Sequence, residues 1–172
     1  MLAEDATEDF RTERQPELAE FFQKNAWQNE SAGFGRTFVL KGRKKKDPPV
    51  LGYYSLTMSR LPTEHFPPAL RASFPGPHSV PTAYLTNVAR DDRVQKERRL
   101  GVLLVADALR RVLRVAEDIA CVGVMLYAMN KGLEGYYERE FGFFALELKP
   151  NKKNPSQLMF LPLTDVRENK PR

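Results

Sequence analysis

The sequence predicts a mixed α/β fold in which a central sheet is flanked by helices. Three observations predict it. Leu100 to Ala120 carries apolar residues at Leu104, Ala108, Val112, Val115 and Ile119, with Asp107, Arg110, Arg111, Arg114, Glu117 and Asp118 opposite them. That is the spacing of a long amphipathic helix. Val122 to Ala128 is a nearly continuous apolar run, the pattern of a strand buried on both faces. Around these two, the patterns follow the order helix, two strands, loop, strand, long helix, strand, short helix, two strands. A chain of 172 residues with 42% hydrophobic side chains holds enough apolar material for one core, so a single domain over residues 1–172 is expected.

Taken in order, Pro16 to Gln28 has a proline in its first turn and apolar groups at 18, 21, 22 and 26, which predicts a short amphipathic helix. Gly33 to Leu40 carries Phe, Thr and Val, and Gly52 to Met58 is rich in aromatic and small residues, so both suit strands. Between them Lys41, Arg43, Lys44, Lys45 and Lys46 lie with Gly42, Pro48 and Pro49, the composition of a hairpin with a basic tip. Leu61 to Pro81 is proline-rich and aperiodic, so a long loop is expected, with one helical turn around Pro68-Ala69-Leu70-Arg71. Strand character returns at Ala83 to Ala89. After the apolar strand come a short helix near Leu133 to Arg139, strands around Phe143 to Leu148 and Gln157 to Leu163, and a polar tail, Thr164 to Arg172, expected to fray.

Composition excludes several classes of function. One cysteine, Cys121, rules out an internal disulfide and reads as a small buried hydrophobe. Two histidines, His65 and His78, lie far from it among prolines, so no metal site is expected. No apolar stretch approaches the ~18 residues of a membrane span. The start Met1-Leu2-Ala3-Glu4-Asp5 is acidic where an export signal would be basic and then hydrophobic, so a soluble, cytoplasmic protein without membrane partners is expected. A formal charge of +5 and a pI near 9.4 suit an anionic partner such as RNA or a phosphorylated cofactor.

The strand ending near Ala89, the charged run Arg90 to Arg99 and the helix opening near Gly101 form a strand–loop–helix unit. Free N–H groups at such a helix start bind phosphate, and Arg98 and Arg99 add cations there. A solvated turn before a core helix is the alternative.

Lys96-Glu97-Arg98-Arg99-Leu100-Gly101 resembles the Arg/Gln-x-x-Gly-x-Gly/Ala pyrophosphate loop of the GNAT acetyltransferase superfamily, with Gly101 kept and Arg99 in place of the first glycine. The resemblance runs from about residue 10 to 163. It includes Arg36-Thr37-Phe38-Val39, Gly52-Tyr53-Tyr54-Ser55-Leu56, Val80-Pro81 before Tyr84-Leu85, and Tyr136-Tyr137-Glu138-Arg139 before Phe141-Gly142-Phe143. The last stretch is similar to the family's Phe-Tyr-Glu-Arg-Phe-Gly-Phe motif, with Glu140 as an extra residue. The pattern looks closest to the GNAT toxins of bacterial type II toxin–antitoxin systems, which acetylate the α-amine of aminoacyl-tRNA.

That resemblance implies a GNAT fold: a mixed, mostly antiparallel sheet with a splayed cofactor-binding strand pair. It implies acetyl-coenzyme A as co-substrate, held by Val88 and Arg90 through their backbones, by Lys96, Arg98, Arg99, Leu100 and Gly101 at the pyrophosphate, and by Asn130 along the coenzyme arm. Asn130 is equally an ordinary helix N-cap. Tyr137 is implied as the acid that protonates the departing sulfur, whereas Tyr136 reads as a core aromatic. Arg36 with Lys44, Lys45 and Lys46 are candidates for tRNA phosphates; a lysine run on a hairpin tip is otherwise simply solvated. Aminoacyl-tRNA, a ribbon-helix-helix antitoxin and a second copy of the chain are the implied partners. Two other functions stay open: a GNAT enzyme acting on a small-molecule or protein amine, and a catalytically inactive GNAT-fold binding module, which the Arg99 departure keeps open.

Overall fold

Antiparallel pairing of the two aromatic, β-branched segments builds the first hairpin. Strand β1 (Arg36–Lys41) pairs with β2 (Val50–Pro62) from Arg36 opposite Leu56 to Lys41 opposite Val50, with a register shift between Leu40 and Lys41. The computed structural model describes residues 8–13, 15–43, 48–76, 78–94, 99–148 and 155–168. The hairpin tip at Lys44, Lys45 and Lys46 lies outside them. The remaining elements are β3 (Ser79–Arg90), β4 (Gly123–Ala128), β5 (Phe144–Ala145) and β6 (Gln157–Pro162), in a sheet of order β1-β2-β3-β4-β6-β5. β4 and β5 each pair antiparallel with β6. The parallel ladder joins β3 to β4 at Ala83–Val124 and Tyr84–Met125. Two residue pairs in strands of 12 and 6 residues are the short ladder that a splayed strand pair requires.

By its contacts the chain falls into two compact units, Met1–Thr57 with Leu85–Ala108 and Met58–Tyr84 with Leu109–Arg172. In the first, α1 (Pro16–Glu20) continues through a π-turn (Phe21–Asn25) into α2 (Ala26–Ser31). The widened turn, with the Ala26 N–H bonded to the Phe21 carbonyl, was not predicted. Its surroundings explain it. The Tyr53 hydroxyl donates to the Leu18 carbonyl at 2.6 Å, and the Tyr53 ring stacks on Phe22 at 4.4 Å and on Phe21 at 6.3 Å. Phe10 meets Phe22 and Tyr53 edge-on, closing a core with Ala26, Val50 and Ala89.

The helix α4 (Leu100–Asp118) follows its predicted stripe for three turns. Leu104, Val105, Ala108, Leu109 and Val112 are buried, but Val115 and Ile119 are 42% and 56% exposed, so the apolar stripe outruns the packing. Asp107, placed on the wet face by periodicity, instead accepts a 2.5 Å hydrogen bond from the Tyr54 hydroxyl of β2. Gly52 of β2 admits the helix: a Cβ there would stand 2.8 Å from Leu104 Cδ1 and 2.9 Å from the Ala89 carbonyl oxygen.

The second unit is built on β4, whose Val124, Met125 and Leu126 are buried as expected. Phe66, Leu61, Val80, Met125, Leu146, Leu158 and Phe160 form its core. The proline-rich segment is shorter than predicted, because β2 runs to Pro62 and β3 begins at Ser79. Between them are a 3₁₀ turn (Thr63–His65) and the expected helical turn, α3 (Pro68–Arg71). Arg71 holds this stretch by donating to the carbonyls of Glu64 and Phe66. The strand expected over Phe143 to Leu148 shrinks to β5, and part of the tail expected to fray is a short helix, α6 (Leu163–Glu168), anchored by buried Leu163. Cys121 is half-buried, not fully buried; its thiol points to the Gly123 carbonyl at 3.4 Å, and burial pushes it up in pKa.

The Gly52 contact sets a testable consequence. Gly52→Ala overpacks the seat of α4 and should cost about 1–3 kcal/mol, lowering the melting temperature by about 2–4 °C per kcal/mol in a chain of this size. A differential scanning calorimetry trace that matches the wild type would show that Leu104 moves aside freely.

Candidate cofactor and catalytic site

The candidate residues fall in both units. Val88, Arg90, Arg99, Leu100, Gly101 and Arg36 lie in the first, and Asn130 and Tyr137 in the second. Lys96 and Arg98 lie outside the described residues.

In the first unit β3 ends at Arg90, and the chain turns through Asp91, Asp92 and Arg93. The Arg90 guanidinium donates to the Val94 carbonyl at 2.7 Å and stands 4.0 Å from Asp92 Oδ1. Its side chain therefore braces the turn, while its predicted contribution to the cofactor is a backbone one. Asp91, which sequence reasoning missed, is 1% exposed. Its carboxylate accepts from the Arg93 N–H at 2.9 Å, from Arg93 Nε and Nη2 at 2.8 Å each, and from the Arg11 N–H at 3.2 Å. Burial works to raise the Asp91 carboxyl, but the Arg93 and Arg11 hydrogen bonds and the Arg93 charge outweigh it and hold the group below its ordinary value. An aspartate two residues before an arginine is too common a pattern to have signalled this.

Arg99 opens α4. Its carbonyl accepts from the N–H groups of Val102 and Leu103, the role of an N-cap residue. Its φ is 47°, the left-handed region that glycine enters without strain. Arg99 thus holds its backbone in a conformation that glycine adopts freely. Leu100 is buried and Gly101 half-buried immediately beyond.

In the second unit α5 (Lys131–Phe141) carries the catalytic candidate. Asn130 is its N-cap, with Oδ1 accepting from the Leu133 N–H at 3.0 Å, so the structure gives this side chain the capping role. At the other end Gly142, with φ 81°, turns the chain so that the Phe143 N–H reaches back to the Tyr137 carbonyl. Tyr137 is buried among Tyr136, Phe141 and Phe143, with ring centroids 5.3, 6.4 and 5.9 Å away. Burial first, and Tyr136 second, push its phenol up to about 12. Its hydroxyl has no hydrogen-bond partner among the described residues. Tyr136 is half-buried and stacks edge-on to Phe141, as a core aromatic does.

Arg36 is exposed at the start of β1, 3.6 Å from Glu30 Oε1. The guanidinium is 69% exposed while Glu30 is only 14% exposed. Among the described residues there is no cluster of three His, Cys, Asp or Glu that could hold a metal, and no helix long and apolar enough to cross a membrane.

Against known proteins, no family model matches the chain. The chain is similar to a tRNA-acetylating toxin of Mycobacterium tuberculosis, 29% identical over 86% of this chain and 81% of that protein. It is similar also to a probable toxin TacT of Sinorhizobium fredii, 28% identical over 86% of this chain and 80% of the relative. Among solved structures it shares the fold of AtaT complexed with acetyl-methionyl-tRNAfMet, with a TM-score of 0.82 and 22% identity over 97% of this chain and 93% of that one. A second AtaT structure, a tyrosine-to-phenylalanine variant bound to the C-terminus of the antitoxin AtaR and acetyl-CoA, matches with a TM-score of 0.72 and 21% identity over 95% of this chain and 89% of that one.

The left-handed Arg99 yields a direct test. Arg99→Gly should leave the fold as stable as wild type or more so, whereas Arg99→Val, β-branched at the same φ, should lose about 1–2 kcal/mol. Equal denaturation midpoints for the two variants would contradict the strained conformation.

Proposed function

We propose that this chain, a GNAT acetyltransferase of the kind that bacterial toxin–antitoxin pairs carry, transfers the acetyl group of acetyl-coenzyme A to the α-amine of an aminoacyl-tRNA and so blocks translation. The similarity to a tRNA-acetylating toxin over most of the chain supports the substrate. The observation that carries the chemistry is Tyr137, a buried phenol with no hydrogen-bond partner among the described residues, on a helix fixed at both ends by Asn130 and Gly142. A buried hydroxyl left unpaired costs about 1–3 kcal/mol. A ligand atom that accepts its proton removes that cost.

In the reaction the neutral amine attacks the thioester carbonyl, the C–S bond breaks, and the amine's excess proton leaves to water. Tyr137 donates its proton to the departing sulfur and recovers one from solvent. An α-amino group has a pKa near ~8, so a useful fraction is neutral without a dedicated base, and positioning supplies much of the rate. Val88 and Arg90 hold the pantetheine arm through main-chain groups. Arg99, Leu100 and Gly101, with Lys96 and Arg98, hold the pyrophosphate. Asn130 serves the arm through its position at the start of α5. Arg36 and the tip lysines Lys44, Lys45 and Lys46 meet tRNA phosphates. A cytoplasmic location, a homodimer and a ribbon-helix-helix antitoxin complete the reading; the AtaT structure bound to part of its antitoxin supports the last.

Radiolabelled acetyl-coenzyme A mixed with charged and uncharged total tRNA tests this reading. Label on charged tRNA alone is expected, and label only on small amines or peptides would overturn the tRNA assignment. Tyr137→Phe should keep cofactor affinity and not lower the melting temperature, while lowering turnover by ~10²–10⁴-fold. Tyr136→Phe should leave turnover unchanged.

The pH profile follows from the raised phenol. The donor form of Tyr137 persists until pH passes about 12, so the rate should rise as the amine deprotonates and then stay level through pH 10. A descending limb near pH 10 would mean that the acid is another group. Arg36→Ala should weaken tRNA binding whatever the tRNA sequence and flatten its salt dependence by a slope of roughly 0.7 to 0.9 per lost contact.

A further inference from the structure

The turn that follows β3 is fastened by the chain's own N-terminal segment. Phe10 is 1% exposed, plugged between Phe22 and Tyr53, so residues 9 to 13 are anchored at their centre. Gln23 Nε2 donates to the Phe10 carbonyl at 3.0 Å, and on either side of that plug the backbone of the segment bonds to the turn after β3. The Arg11 N–H donates to Asp91 Oδ2 at 3.2 Å, the Arg11 carbonyl accepts from the Asp92 N–H at 3.0 Å, and the Glu13 N–H donates to Asp92 Oδ2 at 2.6 Å. Arg93 Nη2 closes the set by donating to the Asp9 carbonyl at 2.7 Å. The turn is also tied inward: the Asp91 N–H donates to the Leu51 carbonyl of β2, and the Val94 N–H to the Asp91 carbonyl.

We propose that Asp91 and Arg93 are positioning residues for acetyl-coenzyme A, clasping residues 9 to 13 to the turn at the end of β3 so that Val88 and Arg90 are held ready before the cofactor arrives. The inference rests on the cofactor reading above and adds to it residues that no part of that reading uses. Its physical basis is ordering cost. A turn that must be fixed on binding subtracts that entropy from affinity, and a turn already fixed does not. Asp91 supplies the fixing because a carboxylate that is 1% exposed demands charged or N–H partners, and here all of them come from this turn and this segment. Neither residue needs to touch the cofactor. Arg93 is a suitable probe because its side chain is 54% exposed and its removal leaves Asp91 the Arg93 and Arg11 N–H donors.

Calorimetry of wild-type protein with acetyl-coenzyme A comes first; no binding there overturns the cofactor reading itself. With binding established, initial rates on charged total tRNA are measured while acetyl-coenzyme A is varied, for Arg93→Ala, Arg93→Lys and Asp91→Asn. Arg93→Ala should raise KM for acetyl-coenzyme A about tenfold with kcat within about twofold of wild type. Arg93→Lys, which can keep one contact to Asp91, should recover part of the loss. Asp91→Asn should behave as Arg93→Ala where its melting curve shows a folded protein. An unchanged KM in folded Arg93→Ala overturns the positioning role and leaves the cofactor reading intact. A fall in kcat in proportion to lost folded protein, with KM constant, overturns it equally, because that is the signature of a scaffold residue.

Discussion

A carboxylate taken almost wholly out of water has to be answered by N–H donors, and at Asp91 that requirement decides how the chain leaves β3. The donors are the Arg93 N–H and guanidinium and the Arg11 N–H, so a turn of three residues and a segment some eighty residues earlier are fixed by one charge. The end of β3 at Arg90 is therefore set by electrostatics more than by strand propensity. Its stabilising contribution has a definite sign. Because the native carboxyl lies below its ordinary value, the contribution is full above the unfolded pKa, near ~4, and is lost as pH falls through the native one.

The parts of the fold that the sequence revealed are those governed by period and composition. The α4 stripe, the β4 run buried on both faces, the helical turn at Pro68–Arg71 and the Asn130 cap each depend on residues close together in the chain. The parts it concealed depend on partners far away. The π-turn answers Tyr53 from β2, and Asp107 leaves the solvent because Tyr54 of the same strand reaches it. The start of β3 at Ser79-Val80-Pro81 has no alternation and includes a proline, yet Pro81 needs only its carbonyl, which accepts from the Val122 N–H. Val115 and Ile119 show the converse: periodicity continues the stripe after packing has stopped.

The candidate site was legible to a different degree at each residue. Arg99 was visible as a departure from a glycine, and only the structure shows that its backbone, at φ 47°, keeps a conformation glycine favours. Tyr136 and Tyr137 are indistinguishable by composition. One residue of helical rotation separates them, and the structure buries Tyr137 while leaving Tyr136 at half exposure. Asp91 and Arg93 stood in a charged run whose ordinary fate is solvation, and nothing local marks Asp91 as the member that goes inside.

Among the described residues, two that the proposed acetyl transfer uses break a local rule. A left-handed conformation in a residue other than glycine costs about 1–2 kcal/mol. An unpaired buried hydroxyl costs a similar amount. Glycine at 99 would relieve the backbone conformation and keep the capping carbonyl, and phenylalanine at 137 would remove the unpaired hydroxyl and keep the aromatic packing. Arginine and tyrosine add a fixed positive charge at the start of α4 and an acidic proton inside an apolar pocket, the two chemical properties that an anionic thioester substrate and its departing sulfur demand. Strain and unmet polarity persist where the surroundings hold them in place and a ligand makes use of them.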